Sequence, residues 1–385
     1  MTTGTPHQHG SETDLSVVLH GLRLPNPFII GSGPPSTNAN VIAKAFDEGW
    51  GGVVAKTACL DHARIRNVSP RYARMRAPHS DEIIGWENIE LISDRPFASW
   101  IDDYRRIKAS YPDRVLIASI MEEYSENAWA EIIGRTQEAG VDALELNLSC
   151  PHGLPEQRMG SAMGQDPQIL EEVCGWAVRH ARVPVWAKLT PNVTDIAACG
   201  RAALRAGVHG LSAINTVLSV MSINLETLRP EPSVEGYSTP GGYSGKAVRP
   251  IALRMTMELG RVVGAEFPGR SLSALGGIET GEDAAQFILC GAHTTQVCTG
   301  VMIHGYRLLR DLRDQLEAFM FRHGFSTLDE FRGRALQYFT SHADLVARQA
   351  ASRRAEAATV VSAPRADDDW KGDSFIAQSD ALISR

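Results

Sequence analysis

One cysteine, two lysines and a set of amides and hydroxyls stand where this sequence could do chemistry. Cys150 lies in the string Leu144-Glu145-Leu146-Asn147-Leu148-Ser149-Cys150-Pro151-His152-Gly153. A thiol tuned toward neutrality can pass a proton in either direction, so Cys150 in a polar loop is a candidate general acid–base. Free cysteines otherwise serve as small packing residues, which suits Cys59, Cys174, Cys199, Cys290 and Cys298. Cys298 could still meet a ligand through its backbone. His152 is the rival acid–base group and reads as a structural loop residue. Lys56 and Lys188 each follow an apolar run, and a lysine there must find a partner or stay wet. It could stabilise negative charge on a bound ring, form a Schiff base or end in a surface salt bridge. Gly276-Gly277 and Thr299-Gly300 are candidate phosphate-binding turns, since glycine lets backbone N–H groups approach an anion closely. With Ser32, Thr57, Asn147, Asn192, Asn215 and Thr216, these residues make a ring of amides, hydroxyls and ammonium groups with almost no acid. Such a ring suits a phosphate and a polar heteroaromatic system rather than a metal.

The elements that must position this ring are legible as eight short apolar runs. They are Phe28–Ile30, Gly52–Ala55, Val115–Ala118, Ala143–Leu146, Val183–Ala187, Gly210–Ile214, Ser271–Ala274 and Thr294–Val297. Continuous apolar runs suit strands covered on both faces. Between them lie helix-like stretches at 39–48, 126–139, 166–180, 195–206, 249–263 and 281–290, several closed by a glycine that fits a helix C-cap. Eight such units predict an α/β fold, a (β/α)8 TIM barrel. An open doubly wound sheet would show a Gly-rich turn after the first strand, and none is present. The inserts 57–113 and 216–248 both follow strands, which places them over the C-terminal face, where barrel active sites lie. The extended stretch Ser16–Leu24 is expected to close the barrel bottom. The barrel is assigned to 14–325 and a helical extension to 326–349, with disordered, mobile tails at 1–13 and 350–385.

Bulk properties narrow the class. The formal net charge is −7 with no basic block, which argues against nucleic acid as a partner. No stretch approaches ~18 uninterrupted apolar residues, so no membrane span is expected. The six cysteines include no C-x-x-C pair, which argues against zinc, other metals or an iron–sulfur cluster in this chain. The polar N-terminus lacks an apolar leader, and the expected location is the cytoplasm.

The string 144–153 resembles the active-loop signature of the dihydroorotate and dihydropyrimidine dehydrogenase family. The closer likeness is to the pyrimidine-reducing FMN domain of dihydropyrimidine dehydrogenases. Asn26-Pro27-Phe28, Asn67-Val68-Ser69-Pro70-Arg71, Asn88-Ile89-Glu90-Leu91-Ile92-Ser93, Ala187-Lys188-Leu189-Thr190-Pro191-Asn192 and Gly242-Tyr243-Ser244-Gly245 support it over about 15–325. The resemblance implies FMN held by Ser32, Lys56, Thr57, Lys188, Gly245, Leu275, Gly276, Gly277, Cys298 and Thr299. It implies a pyrimidine held by Asn88, Asn147, Leu148, Ser149, Asn215 and Thr216, with Cys150 as the catalytic residue. Hydride would pass between flavin N5 and ring C6 of a dihydrouracil or dihydrothymine, and a proton between Cys150 and C5.

Related bacterial chains often carry ferredoxin-like cysteine motifs after the barrel, and this sequence has none from 345 onward. That leaves either a partner subunit with NAD(P), FAD or iron–sulfur clusters, in a homo- or hetero-oligomer, or a soluble acceptor. Three other readings stay open. A class 1 dihydroorotate dehydrogenase could use Arg64, Arg66 or Arg71 for the substrate carboxylate. A Schiff-base lyase could use Lys188. A non-catalytic scaffold would need none of these groups.

Overall fold

The computed structural model describes residues 13–61, 65–149 and 160–356. An N-terminal hairpin, β1 (Val17–Leu19) and β2 (Leu22–Leu24), precedes β3 (Phe28–Ile30), α1 (Ala39–Glu48) and β4 (Gly52–Val54). Next come β5 (Tyr72–Arg76), β6 (Ile83–Asn88), α2 (Phe97–Ser110), β7 (Val115–Ile120), α3 (Glu126–Glu138) and β8 (Ala143–Asn147). They are followed by α4 (Ser161–Gly164), α5 (Pro167–His180), β9 (Val185–Lys188), α6 (Ile196–Arg205) and β10 (Gly210–Ala213). A second group of short strands comprises β11 (Val217–Ser219), β12 (Ser222–Asn224), β13 (Arg229–Glu231) and β14 (Gly241–Ser244). The chain continues through α7 (Arg249–Glu266), β15 (Ser271–Leu275), α8 (Gly281–Leu289), β16 (Thr294–Val297), α9 (Thr299–His304) and α10 (Leu308–His323). One compact unit runs to Leu336 and a second starts at Gln337, with α11 (His342–Glu356) as its described helix.

Strands β3, β4, β7, β8, β9, β10, β15 and β16 close, in that order, into a parallel barrel. Each of the eight apolar runs supplies one of them, so the predicted (β/α)8 architecture is observed. Apart from Leu275, at 9% exposure, their side chains are almost wholly inaccessible, because helices cover the outside while side chains fill the inside. Local sequence starts the helices: Asn38, Asp166 and Asp195 cap α1, α5 and α6, and Thr280 with Asp283 forms a capping box on α8. Helix α1 stops at Gly49, whose φ of 96° is a left-handed cap. No helix among the described residues is long and apolar enough to cross a membrane.

The hairpin β1–β2 closes the N-terminal end. Leu19, Leu22 and Leu24 line a small cavity there with Ile29, Val115 and Ile117, beneath Glu145 and Gln296. His20, at the hairpin turn, places Nε2 3.0 Å from the Ser271 hydroxyl and stands edge-on to Trp186 and His209. At the opposite end the two inserts combine. Strand β6 pairs with β5 and also with β14, which pairs with β11, giving one four-stranded antiparallel sheet.

Candidate active site

The C-terminal mouth of the barrel opens into a cavity of about 1080 Å³, counting its open entrance. Strand ends build its floor and wall: Ser32 after β3, Lys56 and Thr57 after β4, Asn147 at the end of β8 and Lys188 at the end of β9. Asn215 and Thr216 after β10, Leu275, Gly276 and Gly277 at β15, and Cys298 and Thr299 after β16 complete the ring. The insert sheet adds Tyr72, Trp86, Asn88, Tyr243, Ser244 and Gly245. Thus all ten residues expected at the flavin, and Asn88, Asn147, Asn215 and Thr216 of those expected at the pyrimidine, share one space. Leu148 and Ser149 are fully buried beside it rather than lining it. Ser149 binds Asn147 Oδ1 through its backbone N–H at 3.3 Å and its hydroxyl at 3.1 Å, and its carbonyl accepts from Asn215 Nδ2 at 2.9 Å. Ser149 therefore orients two amides of the ring. Cys150, His152 and Arg64 lie outside the described residues.

A hydroxyl relay fixes the upper layer. Thr57 Oγ1 is 2.8 Å from Ser119 Oγ and 3.3 Å from Ser32 Oγ, and it accepts from Asn147 Nδ2 at 2.9 Å. Across the mouth, Ser244 Oγ sits 2.9 Å from Thr299 Oγ1 and donates to the Trp86 carbonyl at 3.1 Å, tying the insert sheet to the turn after β16. Asn88 donates to the Gly242 carbonyl at 3.2 Å, which leaves its Oδ1 available to the cavity.

The expectation of a ring almost free of acid is corrected here. Lys56 donates to Glu90 Oε2 at 2.7 Å, and Arg71 approaches the other Glu90 oxygen at 3.3 Å. Lys188 stands 3.3 Å from Glu145, with both side chains at 4% exposure or less. Neither acid was recognisable as part of the ring: Glu90 lies in an insert, and Glu145 is embedded in an apolar strand. Burial and the neighbouring Glu90 push the Tyr72 phenol up to about 12. Burial pushes the Cys298 thiol up to about 11 against the opposing pull of Lys188 and Lys56, so it rests as a neutral thiol. Cys199 is likewise raised to about 11 by burial, and Cys174 and Cys290 are raised by the same cause, as packing residues should be.

Strand-end amides, lysines and glycine turns at a barrel mouth also occur together in known proteins. The dihydroorotate dehydrogenase family matches residues 14–320. The chain belongs to that family. It is 56% identical over 382 residues to the Arabidopsis thaliana protein named dihydropyrimidine dehydrogenase (NADP(+)), chloroplastic, covering 97% of this chain and 89% of that one. Over 322 residues it is 42% identical to the Escherichia coli K12 NAD-dependent dihydropyrimidine dehydrogenase subunit PreA, covering 84% and 77%. Over 324 residues it is 33% identical to the catalytic subunit of dihydroorotate dehydrogenase B (NAD(+)) of Pyrococcus abyssi, covering 84% and 99%. As a member of this family the chain is an oxidoreductase acting on CH–CH groups.

Dihydroorotate dehydrogenase family enzymes are FMN flavoproteins, and the donor and acceptor set of this cavity fits such a group. The Lys188 side chain lines the cavity at 4% exposure, with Glu145 at 3.3 Å as its ion-pair neighbour. Gln296 Oε1 and Trp86 Nε1 are buried at the cavity with no partner. The backbone N–H groups of Gly276, Gly277, Thr299 and Gly300 donate to none of the described residues. Buried polar groups left unmet cost about 1–3 kcal/mol each, more when charged. A ligand carrying a phosphate and a ring edged with oxygens and nitrogens would meet them together. Sequence reasoning missed Trp86, Tyr72, Tyr243, Ser244 and Gln296. The first four lie on insert strands whose pairing no local pattern reveals, whereas the inward phase of Gln296 follows from strand alternation once β16 is placed.

Proposed function

We propose that this chain interconverts 5,6-dihydropyrimidines (dihydrouracil or dihydrothymine) and pyrimidines with FMN as its resident cofactor. The observation that carries this reading is the convergence of Asn88, Asn147 and Asn215, from three separate elements, on the cavity that holds Lys188. An amide offers a donor and an acceptor side by side, matching the alternating N–H and C=O edge of a pyrimidine. The Oδ1 atoms of Asn88 and Asn215 accept nothing from the described residues and suit ring N–H groups, while Thr57 and Ser149 hold Asn147 in orientation. FMN, when bound, supplies the hydride-accepting centre. Ser32, Lys56, Thr57, Lys188, Gly245, Leu275, Gly276, Gly277, Cys298 and Thr299 would hold it. Asn88, Asn147, Leu148, Ser149, Asn215 and Thr216 would bind or brace the substrate. Cys150 would exchange the proton at ring C5.

A neutral substrate suits the charges better than a carboxylated one. Arg71, a candidate for binding a substrate carboxylate, already faces Glu90, and Glu90 itself would repel a second carboxylate. Electrons would pass to or from a partner subunit holding NAD(P), FAD or iron–sulfur clusters, or a soluble acceptor; the E. coli relative is named as a subunit. Anaerobic titration of the FMN-loaded protein with dihydrouracil, dihydrothymine and dihydroorotate, followed at the flavin absorption band, tests the reading. Bleaching by the first two supports it. A loaded protein that ignores both, or responds to dihydroorotate alone, overturns the substrate assignment.

A further inference from the structure

Glu145 projects into the barrel one layer below Asn147, since alternate residues of β8 face the same side. Its side chain is 1% exposed, with Oε1 3.3 Å from Lys188 Nζ and Oε2 accepting from Gln296 Nε2 at 2.8 Å. Gln296 is braced in turn by Ser212 and Ser273, each 3.3 Å away, and Ser273 accepts from Thr294 at 2.9 Å. Barrel interiors are usually filled by branched apolar side chains. Here four of the eight strands send polar side chains into the layer at and beneath the cavity floor, Glu145, Ser212, Ser273 and Gln296, and a fifth sends Lys188 into the cavity itself.

We infer that Glu145 is a positioning residue that sets how much positive charge Lys188 presents to the flavin. This rests on the FMN reading above. In a buried site of low effective dielectric, a carboxylate beside an ammonium cancels much of the field that the ammonium projects. Gln296 holds the second carboxylate oxygen so that the first stays turned toward Lys188. The pair therefore delivers a moderated charge to the cavity rather than a full one. Replacing Glu145 by its neutral isostere leaves the Lys188 charge uncompensated, which favours the electron-rich, reduced cofactor over the oxidised one.

The test is the midpoint potential of bound FMN in the holoprotein, with FMN content measured separately. In Glu145→Gln the ratio of reduced to oxidised affinity should rise about tenfold, equivalent to about 30 mV upward for a two-electron couple. Glu145→Asp, which keeps the charge but withdraws it from Lys188, should shift the potential the same way by less. If Glu145→Gln does not fold, the Asp variant alone decides. Unchanged or lowered potentials in FMN-loaded variants overturn the inference about Glu145 while leaving the cofactor assignment intact. Wild-type protein that takes up no FMN overturns the function proposed above instead.

Discussion

Variants at Cys150 and Glu90 test separate parts of the proposed chemistry. If Cys150 moves the C5 proton, Cys150→Ala should lower turnover about 10²–10⁴-fold while FMN content stays normal, the usual worth of a positioned acid–base group. Full activity in that variant, measured with dihydrouracil, would remove Cys150 from the mechanism. Glu90 should act on selectivity. Glu90→Gln removes the negative charge shared by Lys56 and Arg71. The preference for dihydrouracil over dihydroorotate, taken as the ratio of kcat/KM values, should fall about tenfold, or 1.4 kcal/mol. An unchanged ratio would place the discrimination elsewhere. At this scale the sequence was legible wherever a polar residue ended an apolar run, as Lys56, Asn147, Lys188 and Asn215 do. It was opaque where a charge sat within a run, because Glu145 in Ala-Leu-Glu-Leu reads as an interruption until its ion pair with Lys188 on the neighbouring strand is known.

The elements were more legible than the contacts between them. Eight apolar runs and their glycine-terminated helices mark the barrel because both patterns are local. The insert sheet was not legible, because β6 pairs with strands from both inserts and register across that distance leaves no local trace. Glycine turns also differ in what they tolerate. Gly277 has φ of 75°, and a Cβ there would meet the Gly245 carbonyl at 2.6 Å and Lys246 Cα at 2.9 Å. Gly277→Ala should therefore disturb the turn after β15 and weaken FMN binding at least tenfold, with a strain cost of about 1–3 kcal/mol. Gly305 has a similar φ of 80° but nothing within 4 Å of a Cβ. Gly305→Ala should cost about 1 kcal/mol in a thermal melt and leave FMN affinity alone. Equal FMN losses in the two variants would show that backbone strain, not contact with the mouth, controls binding.

For the barrel as a whole, its two ends should respond differently to acid. At the closed end, burial lowers the His20 and His209 pKa values and pushes His293 down to about 3, with Arg332 adding to the last effect and Asp329 opposing it. A depressed histidine binds fewer protons folded than unfolded. Its stabilisation is full above the unfolded value of about 6.5 and is lost as pH falls toward the folded value. Glu122, raised by burial to about 7, works in the opposite sense, so the total slope mixes signs. The difference between variants isolates one group. His293→Gln keeps an acceptor for the Leu272 N–H, now met by Nδ1 at 3.2 Å, and should lose less stability than wild type between pH 7 and 5. The difference, on the order of 1–2 kcal/mol, can be read from urea midpoints. Parallel pH curves would show that His293 does not titrate with unfolding.

Asn88 and Gly242, hydrogen-bonded across the insert sheet, are 154 residues apart in the chain. Half of the ligand wall is therefore made early in synthesis and must wait for a complement encoded after four more barrel strands. Neither half-chain can assemble the chamber on its own, and such long-range closure is slow compared with helix formation. If FMN binds in this chamber, its capture should report completed folding: a copy truncated before β14 is expected to stay colourless, whatever secondary structure it has gained.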